Sequence, residues 1–221
     1  MAAKQPGWQR ARRPEQKAER IDAILEAAGQ LLDEHGLEGT GLNAIAREAG
    51  LSKPNLYVYF ESREAILLRL LLNESAAWVK ALKRRLEQID EPGDVKSVAI
   101  AFADTIARRK RFCALFASVA TVFEHNVGPE TIADFKREFI MTAQPAITAL
   151  AEALPQLSEE TALWSLGILL MSSTGMWASC HPAPAVRTVL AQPEFATMKL
   201  DFKDTVQNHA ECFLLGLVSR A

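Results

Sequence analysis

Along this chain the apolar residues recur with the 3.6-residue period of α-helices, and no stretch alternates in the manner of a strand. Ile21, Ile24, Leu25, Ala28, Leu31 and Leu32 form one stripe, which predicts a first helix over 14–36 that starts at Pro14 and ends at Gly36. Leu42, Ile45, Ala46 and Ala49 make the apolar face of a short second helix that begins near Thr40 or Gly41. Gly50 supplies the backbone freedom for a sharp reversal. Ser52 is placed to cap a third helix, and Pro54 sits in its first turn, where a missing N–H costs nothing. A broad apolar face from Ile66 through Trp78 to Ile89 predicts a fourth helix over 63–89, with Lys80, Lys83, Arg84 and Arg85 as a solvated face.

The same period continues to the end. Asp94 is expected to cap a helix over 94–109, and another covers 112–123 before Gly128 and Pro129 break it. A helix over 130–154 contains Pro145, where a kink is predicted. Ser158 caps a helix over 158–179 with Glu159 and Glu160 in its first turn. A short helix near 186–190 and a last one over 201–218 complete the chain. The expected fold is all-α: a three-helix helix-turn-helix domain over 14–62, with its motif at 41–60, then a larger helical domain over 63–221. Residues 1–13, basic and carrying Pro6 and Gly7, are expected to be a flexible arm that could follow a DNA backbone.

The chemistry concentrates between the second and fourth helices. Lys53, Asn55, Tyr57, Tyr59 and Arg63 are all donors. Asn suits an adenine edge, Lys a guanine or a phosphate, and tyrosine hydroxyls and Arg suit phosphates. Two short helices joined by a tight turn, the second bearing such groups, predict a helix-turn-helix aimed at a major groove.

At these residues the sequence resembles a known family. The run Ile45-Ala46, Ala49-Gly50-Leu51-Ser52, Pro54, Leu56-Tyr57, Tyr59-Phe60 and Ser62-Arg63-Glu64, preceded by Ile24-Leu25, Ala27-Ala28, Leu31-Leu32 and Gly36, is similar to the amino-terminal domain of the TetR family of bacterial transcription regulators. The resemblance implies that Asn43, Lys53, Pro54, Asn55 and Tyr57 approach bases. Thr40, Tyr59 and Arg63 would approach phosphates, and Ser52 completes the DNA-binding set. Arg63 stands where Lys is usual, and Gly41 where a hydroxyl residue is usual. The resemblance also implies a repressor whose hold on a DNA operator is relieved when a small molecule moves the fourth helix.

Composition narrows the reading further. With 221 residues, 49% of them hydrophobic, a sizeable buried core is available. The net charge of −2 means that DNA contact must come from local charge, doubled by self-association. A homodimer on a pseudo-palindromic operator would set its two reading helices about 34–36 Å apart. The helices near 158–179 and 201–218 are apolar on more than one face, and Gly167, Gly175 and Gly216 allow close approach, so they are the predicted dimer surface. Bulky groups over 95–180 suggest an apolar ligand site, with Phe102, Phe116, His125, Phe139, Ser172, Met176 and Trp177 as its candidates for an unknown small-molecule effector. Cys113, Cys180 and Cys212 are dispersed and odd in number, as expected in a reducing compartment. No leader or membrane span is visible, which predicts a cytoplasmic protein. No catalytic, metal or cofactor motif appears, so neither an enzyme nor a cofactor is expected. Two alternatives stand beside the regulator: a helical small-molecule carrier without DNA function, and a transcriptional activator of the same fold.

Overall fold

The computed structural model describes residues 14–220; the basic arm expected at 1–13 lies outside them. Among the described residues there are ten α-helices, two short helical turns of other types, and no strand. The chain divides into two compact units, Met1–Leu67 and Leu68–Ala221. The division falls within α4 (Arg63–Leu86), which begins in the first unit and continues into the second.

In the first unit, α1 (Pro14–Gly39) is interrupted at Gly36, where φ is 67°. This is the left-handed region that glycine enters without a Cβ clash, and it ends the regular part of the helix where the apolar stripe ends. α2 (Leu42–Glu48) packs on α1, and α3 (Lys53–Leu56) on α2. Ile24, Leu25, Ala28, Leu31, Leu32, Ile45, Ala46, Leu56 and Ile66 are all buried and make up the small core of this unit. Between α2 and α3, Gly50 has φ 65°. Its N–H donates to the Arg47 carbonyl at 3.1 Å, and Leu51 N–H donates to the Ala46 carbonyl at 2.8 Å. These bonds satisfy the last carbonyls of α2 in a Schellman arrangement. α3 is a single turn, shorter than the sequence pattern suggests. Ser52 occupies its N-cap with extended backbone, yet its side chain makes no capping hydrogen bond, contrary to expectation.

The second unit comprises the rest of α4 with α5 (Val95–Ala107), α6 (Lys110–Ala117), α7 (Pro129–Ala153), α8 (Glu159–Cys180), α9 (Pro184–Leu190) and α10 (Phe202–Val218). α5 lies along α10, and α8 packs against α6, α7 and α10. Asp94 accepts from Ser97 N–H at 3.1 Å, Ser158 from Thr161 N–H at 3.1 Å, and Asp201 from Asp204 N–H at 2.9 Å, so three of these helices start on side-chain caps. α7 continues as one helix through Pro145. The ring removes the N–H that would have reached the Met141 carbonyl, but Met141 is strongly exposed and water can take that acceptor. Trp78 anchors the core, stacked on Phe112 at 5.2 Å and edge-on to Phe102 at 5.9 Å. Burial pushes the Cys113 thiol up to about 12, so it behaves as an inert core group.

Candidate nucleic-acid interface and ligand cavity

The turn fixed by Gly50 presents α3 with one side in the core and the other in solvent. Leu56 is the inward anchor. Asn43, Ser52, Lys53, Pro54, Asn55 and Tyr57 are all exposed, and Tyr57 keeps 49% of its surface open even though it is aromatic. Val58 is exposed too, an apolar group beside the donors that no helical periodicity signals because it lies in the turn after α3. The unused Ser52 hydroxyl is open to an outside acceptor or donor.

Two of the phosphate candidates have work inside the unit. Thr40 is 0% exposed, and its hydroxyl donates to the Gly36 carbonyl at 2.8 Å. It tethers the break in α1, so this hydroxyl is engaged inside the unit instead of being presented to an outside phosphate. Arg63 is partly exposed, and its Nη2 donates to the Leu37 carbonyl at 3.2 Å, which anchors the guanidinium at the same corner. Tyr59 is half-buried.

The second unit contains a small apolar cavity of about 60 Å³. Ser75, Trp78 and Val79 of α4 line one side, Phe139, Thr142 and Ile147 of α7 another, and Leu163, Leu166 and Leu170 of α8 the third. No charged residue lines it. Ser75 Oγ is committed to the Leu71 carbonyl at 2.6 Å. Trp78 is 2% exposed, and its Nε1 has no hydrogen-bond partner. A buried unpaired donor costs about 1–3 kcal/mol, so this N–H is unusual in a well-packed core.

Of the seven ligand candidates read from sequence, Phe139 alone lines this cavity. Phe102 is a core ring, and Phe116 is a half-buried one 5.5 Å from Phe139. His125 is exposed in the turn before α7. The Ser172 hydroxyl is bound to the Ile168 carbonyl at 2.8 Å and to His209 Nε2 at 2.8 Å, and Trp177 stacks on His181 at 3.6 Å. Met176 is half-buried and away from the lining. Aromatic content does not separate the walls of this cavity from the core, because the two share one composition.

Residues 24–70 match the model of "Bacterial regulatory proteins, tetR family", and residues 72–221 match that of "Tetracyclin repressor-like, C-terminal domain". The chain belongs to the TetR family. It is a transcriptional regulator with a DNA-binding domain at its amino-terminal end. This TetR-family chain is 34% identical over 93 residues to the HTH-type regulator Rv1255c of Mycobacterium tuberculosis, covering 42% of this chain and 45% of that one. It is 43% identical over 61 residues to RutR of Escherichia coli K12, covering 28% and 29%. The match thus spans less than half the length of these curated relatives. A transcriptional regulator from Rhodococcus sp. Rha1 shares the fold, with a TM-score of 0.54 at 20% identity over 89% of this chain and 96% of that one. No helix among the described residues of this TetR-family regulator is long and apolar enough to cross a membrane.

Proposed function

We propose that this TetR-family regulator is a repressor that binds a pseudo-palindromic operator as a homodimer and leaves it when a small, neutral, largely apolar ligand enters the α4–α7–α8 cavity. Residues 14–62 then form the DNA-binding domain, and 63–221 the ligand-binding and dimerisation domain. The reading rests on one observation above all: α3 and its C-cap hold Lys53, Asn55 and Tyr57 exposed on a corner whose inward residue, Leu56, is fully buried. Pre-positioned donors of this kind suit base edges and phosphates.

Dimerisation is supported by α8 and α10. After Glu160, α8 carries no charge, and Trp164, Ile168, Met171 and Gly175 follow one another at helical spacing on its outer side. Trp164 and Met171 are 51% and 56% exposed, and Trp164 lies 5.7 Å from Phe213 of α10. So much apolar surface facing water is the usual sign of a covered face. The ligand reading follows from the cavity lining. An ion placed there would lose its hydration without a compensating charge, whereas a neutral molecule with one acceptor could pair with Trp78 Nε1. About 60 Å³ exceeds the ~10–15 Å³ that one water needs but holds little more than a small fragment. A larger ligand must displace a wall. One wall is α4, whose first turn belongs to the DNA-binding unit. A ligand that favours the widened state shifts the equilibrium by its affinity difference between the two states.

The test is footprinting of the purified protein on the DNA flanking its own gene. Protection of a two-fold symmetric site is expected, and Lys53→Ala with Asn55→Ala should weaken it by about 10-fold or more while leaving the oligomeric state intact. Failure to protect any symmetric site would reject the reading.

A further inference from the structure

A second cleft, unrelated to the apolar cavity, opens between the carboxy-terminal half of α4 and the end of α5. It measures about 540 Å³, within the ~300–1,000 Å³ range of small-molecule sites. Arg84, Arg85, Arg108 and Arg109 line it together with Gln88 and Asp104. Four guanidiniums thus face one carboxylate, on a chain whose net charge is −2. The basic run that looks like a solvated face in sequence therefore divides. Lys83 pairs with Glu87 on the outside, while Arg84 and Arg85 turn into the cleft.

The single carboxylate is already satisfied. Asp104 accepts from Lys203 at 2.7 Å and from Arg85 at 3.2 Å. The Lys203 hydrogen bond, with the Lys203, Arg85 and Arg108 charges, holds its carboxyl below the usual range. Arg109 is pinned by a 2.9 Å bond from Nη2 to the Ala77 carbonyl. Arg84 and Arg108, by contrast, donate no hydrogen bond to any described residue. Two anchored and two uncommitted guanidiniums share one cleft with three positive charges in excess. Asp90, Glu91 and Asp94 line an adjoining cleft that shares Arg85 and Gln88, so the positive lining ends on that side.

We propose that this cleft binds an oligophosphate anion of nucleoside-triphosphate size. Guanidinium forks match phosphate oxygens two by two, and such charge-assisted bonds are about twice as strong as neutral ones. A single phosphate monoester carries only about −1.5 to −2 at pH 7, so more than one phosphate is needed to balance the lining. The site is chemically opposite to the uncharged α4–α7–α8 cavity and stands whether or not that cavity takes a ligand. A regulator with both would answer to two metabolite classes.

Isothermal titration of the full-length protein with inorganic tripolyphosphate, at fixed ionic strength, tests this. One ion per chain is expected to bind with a dissociation constant below about 1 mM. Arg84→Gln with Arg108→Gln should weaken binding by about tenfold or more, while Lys199→Gln, a charge loss elsewhere, should not. ATP competing for the same site supports a nucleotide source. Weakening by the Lys199 control to the same extent, or no effect of the double variant, overturns the proposal. So does a result in which random-sequence duplex DNA needs Arg84 and Arg108 but tripolyphosphate does not bind, since the cleft is then a DNA-backbone contact.

Discussion

Thr40 and Lys53 both carry donors and both match positions of the DNA-binding motif, yet their surroundings give them opposite work. Lys53 stands in solvent on α3, while the Thr40 hydroxyl is sealed against the Gly36 carbonyl at 2.8 Å. Thr40→Val keeps the shape and removes this part-buried hydrogen bond. It should cost about 1–2 kcal/mol of stability by chemical denaturation. Operator affinity of the folded fraction, and its salt dependence, should not move. A weaker operator affinity of the folded fraction would mean that Thr40 does reach a phosphate. Ser52 is the reverse case: its position was readable as a cap, but the structure leaves its hydroxyl unused. Sequence specifies which groups a residue can offer; the neighbours that consume or spare them come from elsewhere in the chain.

At the scale of elements, start and stop signals were mostly legible because they are local. Gly36 and Gly50 adopt positive φ where the apolar stripes end, and Asp94, Ser158 and Asp201 each accept from a first-turn N–H. Asp94 offers a test. Its bonds to the Ser97 side chain and backbone hold its carboxyl below the ordinary 3.8. A depressed folded value means that its contribution is present above the unfolded pKa and is lost as pH falls through the folded one. Asp94→Ala should therefore be less stable than the parent at pH 7, and the gap in melting temperature should close below pH of about 4. An equal gap at low pH would assign the loss to helix propensity alone. The one-turn length of α3 and the π-helical turn at Val119–Phe123 were not legible. Both depend on how flanking segments are pulled onto the core, and periodicity over so few residues is weak.

For the whole molecule, the exposed apolar face of α8 and α10 is the proposed dimer surface. Met171 is far more exposed than its helix's composition warrants, so a change there spares the fold of one chain. Met171→Glu is expected to shift the mass in solution from twice 24.3 kDa to 24.3 kDa by light scattering. Losing the second half-site should lower operator affinity by a factor of about 10³ or more, since specific affinity relies on both. A variant that remains dimeric would move the interface off this face.

The sequence by itself determined the all-α class, the helix-turn-helix corner, the exposed donors on α3 and the apolar character of α8 and α10. These rest on periodicity, caps and turn residues that act within a few positions of one another. Tertiary structure alone decided which groups remain available. It buried Thr40, placed Trp78 and Phe139 on a cavity wall while sending Phe102 and Trp177 into packing, and set the arginines at the end of α4 against those at the end of α5. Those outcomes depend on contacts between residues far apart in the chain, and local pattern carries no record of them.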